Sequence, residues 1–455
     1  MRVLVGDDTG LLKGVEVSEV STISSGGSTQ AASITHRWGR QGPDERVTRM
    51  CWAGADAAAR HAEFASALSG GRLELRHTDS TELLMSWQGP AAVDPVRGLA
   101  VSGAAEHDWR LVSCTETGVV RTWRRADAAD AVDGETAGWD AEWATCGLSG
   151  KPLGDANSVS RMRVDRVCCG RLALGGREKE LAVWDIATQT AIFNARNVGH
   201  DMLNLRQGVW NTDLDFCTGS ENELIAVTAS REIRHYDMRI GKGNKPLYSI
   251  PVDGVKMDVG DCRLNAMALL GDHLAICGDV VGGLTMFDLR TRNSVGAMAG
   301  GGGAVREIAV DESRGMVAAC GADRYVRVYK LKRGGKSGDV QQKKMIHKVY
   351  LKQRTNSVLI EPAAGSKLAA APEPVENSGQ RAKFAAKKGK KKSKKLVTTT
   401  EELDPLAAME AAFGLDGDAP AADESSEESE EDADSEEGAE HQDLCAPTFS
   451  PKIFC

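Results

Sequence analysis

Short runs of alternating apolar and polar positions recur along the first 360 residues, separated by turns rich in Gly, Asp and Ser. Residues 181–185, Leu-Ala-Val-Trp-Asp, set the pattern, in which apolar and small side chains alternate and the run ends on an aromatic and an acid. The same grammar returns at 233–237 and 284–288, and with the last residue changed at 326–330 and 120–124. Weaker copies stand at 73–77 and 12–16. The seven starts lie 42 to 61 residues apart. Period-two alternation predicts strands, and each copy follows a turn and another apolar run, which is a hairpin signal.

A third strand is predicted upstream of six hairpins, at 47–52, 97–101, 159–164, 213–216, 264–269 and 305–310. Fourth strands are predicted at 83–87, 142–146, 191–195, 247–252 and 294–299, with a weaker one at 34–38. Four antiparallel strands repeated at this period fit an all-β, seven-bladed WD40-like β-propeller spanning 1–360. A β-sandwich accounts for alternation but not for seven copies of one hairpin. The first copy has too few strands before it, so the closing blade is expected to be split. Its outer and third strands are expected from 347–352 and 356–360, and its remaining pair from the N-terminal end. Residues 18–30 and 126–138 read as surface loops, and 332–344 as a Gly/Lys-rich connection before the closing strands.

Charge divides the chain. Residues 361–455 carry 11 Lys and Arg against 21 Asp and Glu, whereas 1–360 carry 45 against 44, so the formal net charge of −9 belongs to the tail. Prolines 362, 372 and 374 mark a linker, and 361–455 is expected to be a disordered tail. Residues 381–395 hold nine basic side chains, among them Lys387, Lys388, Lys390, Lys391, Lys392, Lys394 and Lys395. Such a block suits a nuclear or nucleolar address and phosphate neutralisation. Residues 401–413 have the spacing of a short helix, and 423–440 hold 11 acids among 18 residues. Ser425 and Ser429 there have acids three residues downstream, a context for acidophilic phosphorylation. No apolar run is long enough for a transmembrane helix, and Asp7 and Asp8 interrupt any leader-like stretch, so a nuclear or cytosolic protein is expected.

Catalytic patterns are missing from the sequence. The 11 Cys show no C-x-x-C spacing and the nine His no i, i+4 pair, so neither a metal site nor a cofactor is expected. Gly300–303 lacks a following Lys-Ser or Lys-Thr and reads as an inter-blade turn. Asp185, Asp237 and Asp288 share one repeat position, which suits turns or packing, and His235 reads as a blade residue. No enzyme is indicated.

Several segments are more specific than the repeat. Phe193 to Val198, Asp201, Leu203, Leu205, Arg206, Trp210 and Asp213 together resemble the nucleolar WD-repeat family of large-ribosomal-subunit (pre-60S) assembly factors, the Nop-seven-associated WD-repeat type. Further matches are Gly6, Thr9-Gly10, residues 12–14, 161–163, 175–178, Trp184-Asp185, Cys320-Gly321, Asp323-Arg324 and 347–352, His-Lys-Val-Tyr-Leu-Lys. The basic block at 381–395 is similar to that family's Lys-rich end, whereas the acidic block is a departure. The resemblance implies a non-catalytic scaffold in nucleolar 60S biogenesis and pre-rRNA processing. It implies pre-60S assembly factors and a releasing AAA ATPase as partners, pre-rRNA as a further contact, and a monomer within a large complex. No membrane and no small-molecule substrate are expected. The connector between blades four and five is the expected partner surface, through Arg196, Asn197, His200, Asp201, Arg206 and Trp210. Arg163, Arg177, Arg306 and Arg324 are weaker partner or RNA candidates. A generic WD-repeat adaptor in a ubiquitin-ligase or chromatin complex, and a propeller enzyme, are the rival readings.

Overall fold

The computed structural model describes residues 1–17, 32–54, 62–80, 82–89, 94–103, 109–124, 139–145, 158–166, 169–200, 202–239, 244–252, 262–334 and 339–361, with backbone alone at 139–140, 333–334 and 339–342. Apart from Glu361, the expected tail with its segments 381–395, 401–413 and 423–440 lies outside the described residues, as do the loops 18–30 and 126–138.

Seven four-stranded antiparallel sheets form the blades of a propeller. Blades 2 to 7 take their strands in chain order, from the inner edge outwards. The seven inner strands are Val47–Trp52, Val96–Ser102, Val159–Val164, Asn211–Phe216, Leu264–Leu270, Val305–Asp311 and Thr355–Ile360. Second strands have neighbouring blades on both faces and are buried almost throughout, as in Arg110–Thr115 and Leu274–Asp279. Outer strands such as Ser33–Trp38 alternate exposed and half-buried positions. This gradient is why the repeat is clearest in the second and third strands and faint at the rim.

Among the described residues, seven apolar clusters fill the seams between blades. The aromatic that ends the third-strand motif sits in them: Trp123, Tyr236, Phe287 and Tyr329 are each at most 2% exposed. The blades approach too closely at some points for any side chain. A Cβ at Gly6 would lie 2.5 Å from Val47 Cγ1, and one at Gly278 would lie 2.6 Å from Val305 Cγ1. The repeat aspartates end the third strand in tight turns. Asp185 accepts from Ala187 N at 2.8 Å, Asp237 from Arg239 N at 2.9 Å and Asp288 from Arg290 N at 2.9 Å.

The closing blade differs from expectation. Arg2–Asp7, Leu12–Glu16 and Ser33–Trp38 supply three of its strands, and Thr355–Ile360 supplies the inner one alone. The register pairs Val3 with Ile360 and Val5 with Val358. Residues 347–350 belong instead to Asp339–Tyr350, the outer strand of blade 7, which pairs with Tyr325–Gly334. The expected connection at 332–344 is therefore mostly strand. A local hairpin closes at far lower entropic cost than pairing across the ring, so the strand takes its neighbour in sequence. Ser33–Trp38, the weakest of the predicted fourth strands, completes the sheet.

Buried polar groups lock this seam. Lys13 Nζ donates to Asp7 Oδ2 at 2.8 Å, to the Leu351 carbonyl at 2.9 Å and to Gln353 Oε1 at 2.6 Å. Asn356 Nδ2 donates to Asp8 Oδ1 at 2.7 Å and to the Val47 carbonyl at 2.8 Å. Thr355 Oγ1 both donates to the Gly321 carbonyl and accepts its N–H. The two ends of the propeller are thus joined by hydrogen bonds as well as by apolar packing.

Candidate functional site: a connector strap and a basic rim

Residues 195–210 lead from Ala191–Asn194, the outer strand of blade 4, to Asn211–Phe216, the inner strand of blade 5. Ala195 and Val209 are buried and pin the ends. Asn197 Nδ2 donates to the Gln207 carbonyl at 2.7 Å and draws the limbs together. Glu178 N donates to the Val209 carbonyl at 2.7 Å, and Arg196 N to the Asn244 carbonyl at 2.9 Å, tying the strap to blades 4 and 5. At its crest Asn204 takes φ +58°, and His200 Nδ1 lies 2.9 Å from Asn204 Oδ1. There Met202, Leu203 and Leu205 are 103%, 78% and 59% exposed. Three large apolar side chains within four residues, facing water on an anchored loop, form a protruding apolar contact surface.

The expected strap residues divide by role. Arg196, His200 and Arg206 are exposed, and Arg206 lies 3.4 Å from Glu178. Trp210 is half-buried with Arg177 and Arg263 on its ring, 5.3 and 4.7 Å from the centroid. It therefore anchors the strap, and Arg177 holds it there. Asn197 shapes the loop, and Asp201 lies outside the described residues. The apolar crest residues are not among the expected contacts, because a connector has no periodicity to set its apolar positions apart; their signals are placement between strands and, for Leu203 and Leu205, the resemblance of 193–213.

Arg163 and Arg306 are occupied within the fold. In the central channel Arg161, 3% exposed, bridges Asp213 and Glu307 at 2.9 Å each, and Arg163 reaches Asp213 at 3.5 Å. Asp213 also accepts from Met267 N and Leu214 N, and Glu307 from Ser357 and Val358 N. Burial raises both carboxyls, but Arg161 and the other surrounding donors outweigh it and hold them below the usual carboxylate range. Arg49, whose Nε donates to the Arg97 carbonyl, is pushed down to about 9 by burial and by Arg161. Arg306 joins Asp8 at 3.1 Å and Asn356 at the closing seam. These arginines hold blades together.

Arg324, exposed with φ +68°, lies beside a basic rim. Residues 325–354 carry ten Lys and Arg against a single Asp. Lys332, Lys344, Lys348, Lys352 and Arg354 are exposed on or next to the outer hairpin of blade 7. Tyr350, 50% exposed, packs on Tyr325 at 5.1 Å, and Lys348 Nζ lies 4.4 Å above the Tyr325 ring. Cations interleaved with aromatic faces suit phosphates and stacked bases. Of the expected basic candidates only Arg324 lies beside this rim; in the sequence 332–344 reads as a connection and 347–352 as a strand of the closing blade, so the hairpin's cations do not stand out together.

No family model matches the chain. It is 28% identical to WD repeat-containing protein 74 of Homo sapiens over 374 residues, covering 79% of this chain and 80% of that protein. The Bos taurus protein of the same name is also 28% identical, over 361 residues and with the same shares. A WD repeat-containing protein of Dictyostelium discoideum is 28% identical over 189 residues, 42% of this chain and 34% of that one. Among solved structures, U3-55K superposes with a TM-score of 0.51 at 12% identity, over 70% of this chain and 85% of that one. Raptor from Chaetomium thermophilum gives 0.51 at 14% identity, over 70% of this chain and 26% of that one. The structural likenesses carry the fold alone. The chain is thus a seven-bladed propeller similar in sequence to WD repeat-containing proteins, a likeness that supports a WD-repeat scaffold.

Proposed function

We propose that the protein is a non-catalytic nucleolar scaffold in assembly of the large ribosomal subunit, carrying assembly factors on its strap and precursor rRNA along its basic rim. The observation that carries this reading is the strap, an anchored crest with Met202, Leu203 and Leu205 in water between Arg196 and Arg206. An apolar crest exposed on an anchored loop suits a protein partner, and the ten-to-one basic excess of 325–354 suits phosphate. Similarity to WD repeat-containing protein 74 over most of the propeller supports the assignment, as does the resemblance carried by residues 193–213 and 347–352. Release from the precursor by an AAA ATPase and nuclear delivery by residues 381–395 complete the proposal.

Gradient sedimentation of the tagged full chain from nuclear extract, with sequencing of co-purified RNA, tests it. Co-migration with large-subunit precursors containing unprocessed rRNA is the expected result. Sedimentation in a small complex without rRNA would favour a WD-repeat adaptor of another assembly.

A further inference from the structure

Blade 5 brings together three side chains that are far from any metal-binding spacing in the sequence. Cys217 follows the inner strand, Glu223 opens the second strand, and His235 lies in the third. Cys217 N donates to the Glu223 carbonyl, and His235 pairs with Ile225, two residues beyond Glu223. The pleat therefore turns all three side chains to the same face. That face meets blade 6, where Cys217 packs with Phe287 and Leu289. A sulfur, a carboxylate oxygen and an imidazole nitrogen from these residues all lie within 4.8 Å of one another, the one such trio among the described residues.

We propose that Cys217, Glu223 and His235 form a divalent-cation site of the zinc type at the seam between blades 5 and 6. Thiolate, imidazole and carboxylate are the donor set zinc prefers, and three protein donors leave a fourth position for water. Burial comes first in pushing the Cys217 thiol up to about 12, and the charges of Glu223, Asp215 and Asp272 add to it, so a bound cation must displace the thiol proton. His235 is held below its usual range by burial, against the pull of Glu223 and Asp237. The cations facing the group are Arg239, 3.6 Å from Glu223, and Arg292, which lies over the neighbouring Tyr248 ring. Arg239 is itself paired with Asp237 at 2.8 Å, and Arg166 with Asp215 at 3.1 Å.

The imidazole is not fully committed. His235 Nε2 lies 3.0 Å from Glu223 Oε2, while Nδ1 is buried without a hydrogen-bond partner. A buried bare nitrogen is costly, and a metal bond to the ring relieves that cost directly or by turning the ring. Glu223 is 30% exposed on its side chain and marks the way in. Binding forms bonds from the metal to sulfur, nitrogen and oxygen, and it releases the Cys217 proton to solvent. No electron transfer is involved.

This inference is independent of the ribosomal reading. Its test is titration of chelator-treated full-length protein with Co²⁺, followed through the sulfur-to-cobalt charge-transfer band in the near ultraviolet. The band is expected in the wild type and in Cys277→Ser, lost in Cys217→Ser, and weakened at least tenfold in apparent affinity by Glu223→Gln, which keeps an oxygen acceptor for His235. Because a thiol proton leaves, apparent affinity is expected to rise about tenfold per pH unit between pH 6 and 8. Zinc is expected to raise the melting temperature of the wild type but not of His235→Gln. A wild type without the band, or a band unchanged in Cys217→Ser, overturns the site and leaves a hydrogen-bonded His–Glu pair beside a packed thiol.

Discussion

Residues 347–352 and 193–213 stand out equally in the sequence, yet the fold uses them in different ways. The first ends blade 7 and leads into the closing seam, where Leu351 is buried and its carbonyl accepts from Lys13. The second is anchored at its ends and lifts Met202, Leu203 and Leu205 into water. One segment is built into the blade 7 sheet and the edge of the closing seam; the other spends its apolar groups on an exposed surface. A distinctive segment is therefore evidence of function only after its burial is known, because closure and recognition leave similar marks in a sequence.

The contrast predicts opposite responses to change. Deleting 355–361 removes the inner strand of blade 1 and should abolish the cooperative unfolding transition followed by circular dichroism; survival of a single sharp transition would show that the ring does not depend on this seam. Asp7→Ala leaves the Lys13 ammonium buried without its carboxylate, and urea denaturation should show a loss of about 3–5 kcal/mol. A change under 1 kcal/mol would mean that the two carbonyl oxygens near Lys13 suffice.

The channel gives a pH signature on the structural side. Asp213 and Glu307 are held below the usual carboxylate range in the folded state. Their contribution is therefore fully present above about pH 4, the ordinary carboxyl value, and is lost as pH falls through the lower folded values. Denaturant midpoints measured from pH 6 down to pH 2 should fall most steeply below about 4, and more shallowly in Glu307→Gln, whose baseline stability is already lower.

The strap lies at the other extreme. Met202→Ser, Leu203→Ser and Leu205→Ser combined should alter stability by no more than about 0.5 kcal/mol, since these side chains are exposed in the free protein. Arg196→Glu with Arg206→Glu should likewise leave the melting temperature in place. Both sets are expected to weaken partner association, which fluorescence melting and co-purification can separate.

Legibility followed burial. Second and third strands, covered on both faces, carried the repeat openly, and the aspartates at 185, 237 and 288 announced their turns. Closure is not legible because Thr355–Ile360 and Asp339–Tyr350 are both good strands, and partner choice depends on loop entropy rather than pattern. The strap's location was legible, but its apolar crest was not, since an exposed leucine and a core leucine look alike in one dimension. The Cys217, Glu223 and His235 trio was hidden for a different reason: three adjacent strands bring the donors together, so no fixed spacing records them.

The most direct measurement compares wild type with the triple serine crest variant by gradient sedimentation from nuclear extract, with melting temperatures matched beforehand. The wild type is expected to travel with large-subunit precursors, and the variant, equally folded, to shift to light fractions. Equal co-migration of the two would contradict the strap as the contact surface, and absence of the wild type from precursor fractions would contradict the scaffold assignment itself.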